Sequence, residues 1–250
     1  MGNGYPLGVA ASSNFRPVGA ATPFVEATAG VAAAALFATT SAIRRARTFH
    51  PVGVAFQATF TVDAPARHGA ALLDTPGSHP ALVRLSRGIG IREPWPDVLG
   101  FALRILDTRE QDEDLDLLFV TSGDKPIARQ LFLPSIGFDA SRFSSVLPYR
   151  LGDRKVLFGA RCLDGAERLL LNDLGRDPRS EPVRFAIEIA APLGPWEPVA
   201  EVALGKQLPD HIADSLAFNP SNADASITPV GVFQAMRRLS YRASQSARPH

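Results

Sequence analysis

Seven short runs of β-branched and aromatic residues divide the middle of this chain, and almost no long helical pattern separates them. They fall at residues 54–62 (VAFQATFTV), 81–86 (ALVRLS), 99–106 (LGFALRIL), 115–121 (LDLLFVT), 155–162 (KVLFGARC), 183–190 (VRFAIEIA) and 199–204. Such residues fit a pleated, half-buried surface and read as strands. Gly and Pro punctuate residues 63–80 and 88–96, which read as loops. A succession of strands with few helices between them predicts an α+β fold, an antiparallel β-barrel with helices packed around it.

Helical readings lie mostly outside this run. Residues 1–22 are rich in Gly, Ala, Ser and Pro and read as an extended arm. Residues 24–46 read as one helix, alanine-rich, with Arg44, Arg45 and Arg47 suiting its C-terminal end. The domain reading is therefore an arm and helix over 1–46, then a barrel domain over 47–250 that ends in a helix at 229–247. Short helices are expected at 126–133 and 138–147. The acidic run 107–114 reads as a solvated hairpin tip, since like charges repel and stay wet.

At 250 residues the chain can bury a substantial core. A net charge of +1 with scattered basic residues gives no footprint for nucleic acid. Cys162 is the only cysteine, so neither an intramolecular disulfide nor a cysteine metal site can form. The N-terminus lacks a basic n-region, and the uncharged stretch 27–43 is short for a span. A cytoplasmic protein without stable membrane insertion is the expectation.

Two motifs carry chemistry. Arg47-Thr48-Phe49-His50 sets an arginine three residues before a histidine, a group able to move protons near neutral pH. Arg237-Arg238-Leu239-Ser240-Tyr241 sets an arginine four residues before a tyrosine. A phenolate can ligate ferric haem, and a guanidinium beside it favours the deprotonated form. His68, His79 and His211 have no supporting pattern and are assigned to loops and surface.

Residues 47–62 (RTFHPVGVAFQATFTV) resemble, without a gap, the distal-histidine segment of the haem catalases. Val83-Arg84-Leu85-Ser86 resembles that family's Val-Arg-Phe-Ser. Asp97-Val98-Leu99-Gly100-Phe101-Ala102 resembles its Asp-x-x-Gly-Phe-Ala, and Leu216-Ala217-Phe218-Asn219-Pro220-Ser221-Asn222 its Leu-x-Phe-x-Pro-x-Asn. The resemblance implies haem b as cofactor. It makes His50 the catalytic histidine, Ser86 the acceptor that fixes its tautomer, and Phe49 an apolar residue of the distal side. It makes Tyr241 the axial ligand of the haem iron, supported by Arg237, and turns Arg47 and Arg84 toward the propionates.

Three departures shape the functional expectation. The family's Gly-Asn-Asn-Thr-Pro run corresponds here to Val120-Thr121-Ser122-Gly123-Asp124-Lys125-Pro126, which has no asparagine; Thr121 or Ser122 stands in its place. The chain is about half the length of an ordinary catalase subunit. The segment after Tyr241 lacks the family's Pro-Asp-Thr-His-Arg. These reductions resemble the short catalase-related peroxidase group. They imply a haem peroxidase acting on hydrogen peroxide or organic hydroperoxides, lipid hydroperoxides among them, and a homodimer is plausible. A hydroperoxide isomerase or dehydratase is the alternative, as is a non-catalytic scaffold, haem-binding or haem-free.

Overall fold

The computed structural model describes residues 52–108, 114–164, 169–174, 182–220, 222–223 and 225–230. Ten strands run along them: β1 (Val52–Val62), β2 (Gly77–Arg87), β3 (Leu99–Ile105), β4 (Leu115–Ser122), β5 (Arg142–Ser144), β6 (Tyr149–Leu151), β7 (Arg154–Cys162), β8 (Arg184–Ala190), β9 (Glu197–Gln207) and β10 (Ile227–Pro229). Three short helices accompany them: α1 (Ala71–Asp74), α2 (Leu171–Leu174) and α3 (Asp210–Ser215).

Strands β1, β2, β3, β4, β5, β7, β8 and β9 pair in that order, and β9 returns to β1. Every pairing is antiparallel, so the sheet closes on itself as an eight-stranded barrel with no open edge along most of its length. The free part of the β7 edge takes β6, which in turn takes β10. This is the α+β antiparallel barrel expected from the sequence, with only short helices among the described residues.

Alternation decides which side chains enter the barrel. Phe56 on β1 lies opposite Val83 on β2, Val83 opposite Leu103 on β3, and Leu103 opposite Leu117 on β4. All are buried. At the centre, the Phe101 ring lies 4.9 Å from Phe185, 5.6 Å from Phe119 and 5.8 Å from Phe143 between centroids. Each such side chain stabilises the fold by about 1.5–3 kcal/mol through burial. An eight-stranded barrel is filled by its own side chains or holds one small ligand, and here aromatic rings occupy the centre. A ligand site therefore belongs on its outer face or at its ends.

Several expectations change here. Helices were expected at 126–133 and 138–147, but the first segment forms only a 3-10 turn at Ala128–Gln130 and the second supplies β5. The cause is tertiary. Phe138 and Phe143 both enter the core and stack 5.9 Å apart, and Phe143 pairs across to Thr121. An extended chain places both rings, and that burial overrides local propensity. Residues 63–80 are not all loop: α1 lies within them and β2 begins at Gly77. Ile105 pairs directly with Leu115, so the acidic run joins a β3–β4 hairpin. The expected arm and helix over 1–46, and the helix over 229–247 beyond residue 230, lie outside the described residues.

Candidate functional site

Strand periodicity turns Arg84 and Ser86 away from the barrel axis, since Val83, Leu85 and Arg87 take the inward positions. Register then builds two rows across the outer face of β1–β4. One reads Gly53, Ser86, Gly100, Val120; the other reads Ala55, Arg84, Ala102, Leu118. Most of these side chains are small. Ala55 and Ser86 are buried although they point away from the core.

Arg84 lies opposite Ala55, yet its guanidinium extends toward the start of β1. A Cβ placed on Gly53 would fall 2.9 Å from Arg84 Cζ and Nη2, and 2.9 Å from the Leu85 carbonyl oxygen. Glycine is what lets the guanidinium come this close to β1. Burial draws the Arg84 pKa below the ordinary arginine value, and the nearby Asp214 carboxylate on α3 works the other way. The cation is thus partly stripped of water and stays charged. Gly53 is joined to His50 by three peptide steps.

The C-terminal motif reaches the same side of the sheet. Arg104 and Asp116 face outward from β3 and β4 as a cross-strand pair. Arg104 Nε donates to Asp116 Oδ1 at 2.7 Å and Nη2 donates to Oδ2 at 2.7 Å, a bidentate fork. The hydrogen bond to Asp116 raises the Arg104 pKa above its ordinary value. The fork holds the segment around Phe218. Arg104 Nη2 also donates to the Ala217 carbonyl at 2.7 Å, and its guanidinium carbon lies 5.1 Å from the Phe218 ring centroid. The Asn219 N–H donates to Asp116 Oδ2 at 2.7 Å, and the Asn222 side-chain amide donates to it at 3.0 Å. The Asp116 N–H donates to the Asn222 carbonyl at 3.0 Å.

Of the residues singled out from sequence, the structure brings Arg84 and Ser86 onto one outer face. Arg47, Phe49, His50, Arg237 and Tyr241 lie outside the described residues. Thr121 is corrected: it turns inward, where its hydroxyl accepts the Leu99 N–H at 3.0 Å. Strand alternation leaves Ser122, not Thr121, on the outer side. Gly53, Arg104, Asp116 and Asp214 were not singled out. Their signals are positions across a register, which spacing along the chain does not show.

Further round the barrel, Arg142 is consumed internally. It pairs with Glu188, and its Nε lies 2.9 Å from Asp124 Oδ1. Trp196 lies on Gly159, where a Cβ would come within 2.7 Å of the indole, with the Arg129 guanidinium 4.5 Å from its ring centroid. Among the described residues no group of three His, Cys, Asp or Glu could hold a metal ion, and no helix is long and apolar enough to cross a membrane.

No family model matches the chain, and no curated protein matches it. Solved structures do. Catalase A from Saccharomyces cerevisiae superposes with a TM-score of 0.59 at 15% identity, over 84% of this chain and 63% of the catalase. A fungal catalase gives 0.56 at 14%, over 80% and 60%. A bacterial catalase gives 0.58 at 14%, over 84% and 59%. The chain thus spans about three fifths of the length of these relatives in structure. What the likeness establishes is the fold: this barrel is catalase-like.

Proposed function

We propose that the chain binds haem b against the outer face of β1–β4 and acts as a haem-dependent peroxidase of the catalase-like type, on hydrogen peroxide or organic hydroperoxides. The observation that carries this reading is Arg84 laid across Gly53, on a face of small residues three peptide steps from His50. That face fits the group. Gly100, Ala102 and Ala55 let a flat macrocycle approach the backbone, and a partly desolvated guanidinium suits an anionic carboxylate.

Haem would supply an iron able to bind a peroxide oxygen and exchange electrons with it. The chain supplies the rest. Arg84 and Arg47 would pair with the propionates. Tyr241 would hold the iron through its phenolate, and the charge of Arg237 would favour the deprotonated phenol. His50 would take the proton from the near peroxide oxygen and return it to the leaving oxygen, an external reducing substrate supplying the two electrons that cleavage consumes. Ser86 would accept the other imidazole N–H and fix the tautomer. Phe49 would keep the distal side apolar. The run 120–126 has no asparagine amide to position a small peroxide, which supports organic hydroperoxides over hydrogen peroxide.

The test is the visible spectrum of the purified protein after reconstitution with haemin, followed by turnover of cumene hydroperoxide with a reducing dye. A Soret band with a tyrosinate charge-transfer feature, lost in Tyr241→Phe, is expected. His50→Ala should slow O–O cleavage on the order of 100–10,000-fold with haem retained. A colourless reconstituted protein overturns the proposal. Rearranged products formed without reductant would move the chain to the isomerase or dehydratase class.

A further inference from the structure

The loop between β2 and β3 turns its apolar side chains outward. Ile89 is 66% and Trp95 69% exposed, and Ile91 is exposed as well. These apolar groups sit on a loop that is pinned. The buried Asp97 carboxylate accepts the N–H groups of Ile89 at 3.0 Å and Val98 at 2.7 Å through Oδ1, and of Gly90 and Ile91 at 2.9 Å each through Oδ2. Buried Arg87 donates to the carbonyls of Ile91 and Trp95. The segment carrying Leu131 and Leu133, both exposed, is fastened alongside. Ser135 and Asp97 exchange backbone hydrogen bonds of 2.8 and 2.9 Å, and the Leu133 N–H donates to the Thr121 carbonyl at 2.9 Å.

Charge on this platform is one-sided. Glu93 is turned inward, its side chain 6% exposed, where it accepts the Leu171 and Asn172 N–H groups of α2. Asp97 is fully buried. Arg92 is exposed and is the one charge these two segments present to solvent. A rigid apolar tip with an indole and a guanidinium, and no exposed carboxylate, complements an anionic lipid surface. There Trp sits at headgroup depth, aliphatic side chains reach the acyl boundary, and arginine meets phosphate.

We propose that this platform docks the barrel onto an anionic lipid surface. Ile89 lies three residues beyond Ser86, so the docked face adjoins the candidate site. Resting on the peroxidase reading, the docking would give that site access to hydroperoxides of membrane acyl chains. The docking itself needs no haem.

The test uses the full chain and sedimentation with vesicles of phosphatidylglycerol and phosphatidylcholine, against vesicles of phosphatidylcholine alone. Wild type should sediment with the anionic vesicles, and Trp fluorescence should shift to the blue. The double variant Ile91→Ser/Trp95→Ser should bind roughly tenfold or more weakly, as expected when two anchors are removed. Arg92→Glu, an exposed change that leaves the core untouched, should abolish the preference for anionic vesicles. Wild type remaining in the supernatant overturns the proposal. So does undiminished binding in the double variant, which would move the lipid contact elsewhere, such as to the apolar stretch 27–43. A wild-type dimer that the double variant dissociates, without vesicle binding by either, would assign the platform to a second copy instead. Protein that stays colourless after reconstitution with haemin yet still sediments keeps the docking while the peroxidase reading fails alone.

Discussion

At the scale of single residues, Gly53 and Arg84 make a coupled pair. A methyl group at Gly53 would meet the Arg84 guanidinium and, behind it, the Leu85 carbonyl, which as backbone cannot step aside. Gly53→Ala should therefore destabilise the fold by about 1–3 kcal/mol, the usual cost of overpacking, and displace the guanidinium. Chemical denaturation of Gly53→Ala, Arg84→Ala and the double variant would read the coupling. A second prediction concerns Asp214, which favours the charged form of Arg84. Asp214→Asn removes a carboxylate that competes for that cation, so haemin should bind more tightly, by a few-fold, in a spectroscopic titration. A third concerns Tyr149, whose phenol burial raises above the ordinary value near 10. Its folded pKa exceeds its unfolded pKa, so its contribution to stability is full below about pH 10 and is lost as pH rises beyond it. Melting curves from pH 9 to 11 should fall more steeply for wild type than for Tyr149→Phe. The sequence showed Gly53 only as a glycine near a histidine. That a guanidinium lies on it follows from the β1–β2 register, which no local pattern carries.

At the scale of elements, one carboxylate fastens the segment around Phe218 to β3 and β4. Asp116 holds Arg104, the Asn219 N–H and the Asn222 amide at once. Its removal breaks the bidentate fork and leaves Arg104 only Asp114, 3.7 Å from its Nε, a cost below the roughly 3–5 kcal/mol of a fully buried broken pair because that second carboxylate remains and Arg104 meets water. Asp116→Ala should therefore lower stability and free this segment. Hydrogen exchange checks it: protection at the Asn219 and Asp116 amides should fall well before that of β1–β2. The motif was legible in sequence, but its partner lies 103 to 106 residues upstream. Legibility elsewhere follows the same physics. Strands with an alternating inner face, such as residues 54–62, could be read because periodicity encodes them. β5 could not, because Phe138 and Phe143 act through the core of a closed barrel. β6 and β10, three residues each, are too short to show a period.

At the scale of the whole molecule, the barrel divides labour between inside and outside. Its interior is filled by aromatic rings, so stability is set there, while the candidate site is confined to outward-facing side chains. That division is testable within one pair of variants. Phe101 touches three other rings at the centre of the core, and Phe101→Ala should cost about 3–5 kcal/mol. At this chain length such a loss lowers Tm by several degrees or more. Haemin binding should then weaken only as far as the folded fraction shrinks. Arg84→Gln removes no packing from the interior; it gives up a part-exposed charge interaction with Asp214, worth about 0–1 kcal/mol, and should lower Tm clearly less than Phe101→Ala does. It should nonetheless reduce haemin affinity, because a partly desolvated cation facing a carboxylate is lost. Thermal melts and Soret titrations of the same samples decide the matter. If Arg84→Gln melts as early as Phe101→Ala, Arg84 belongs to the scaffold, and the outer face of β1–β4 loses its claim to be the site.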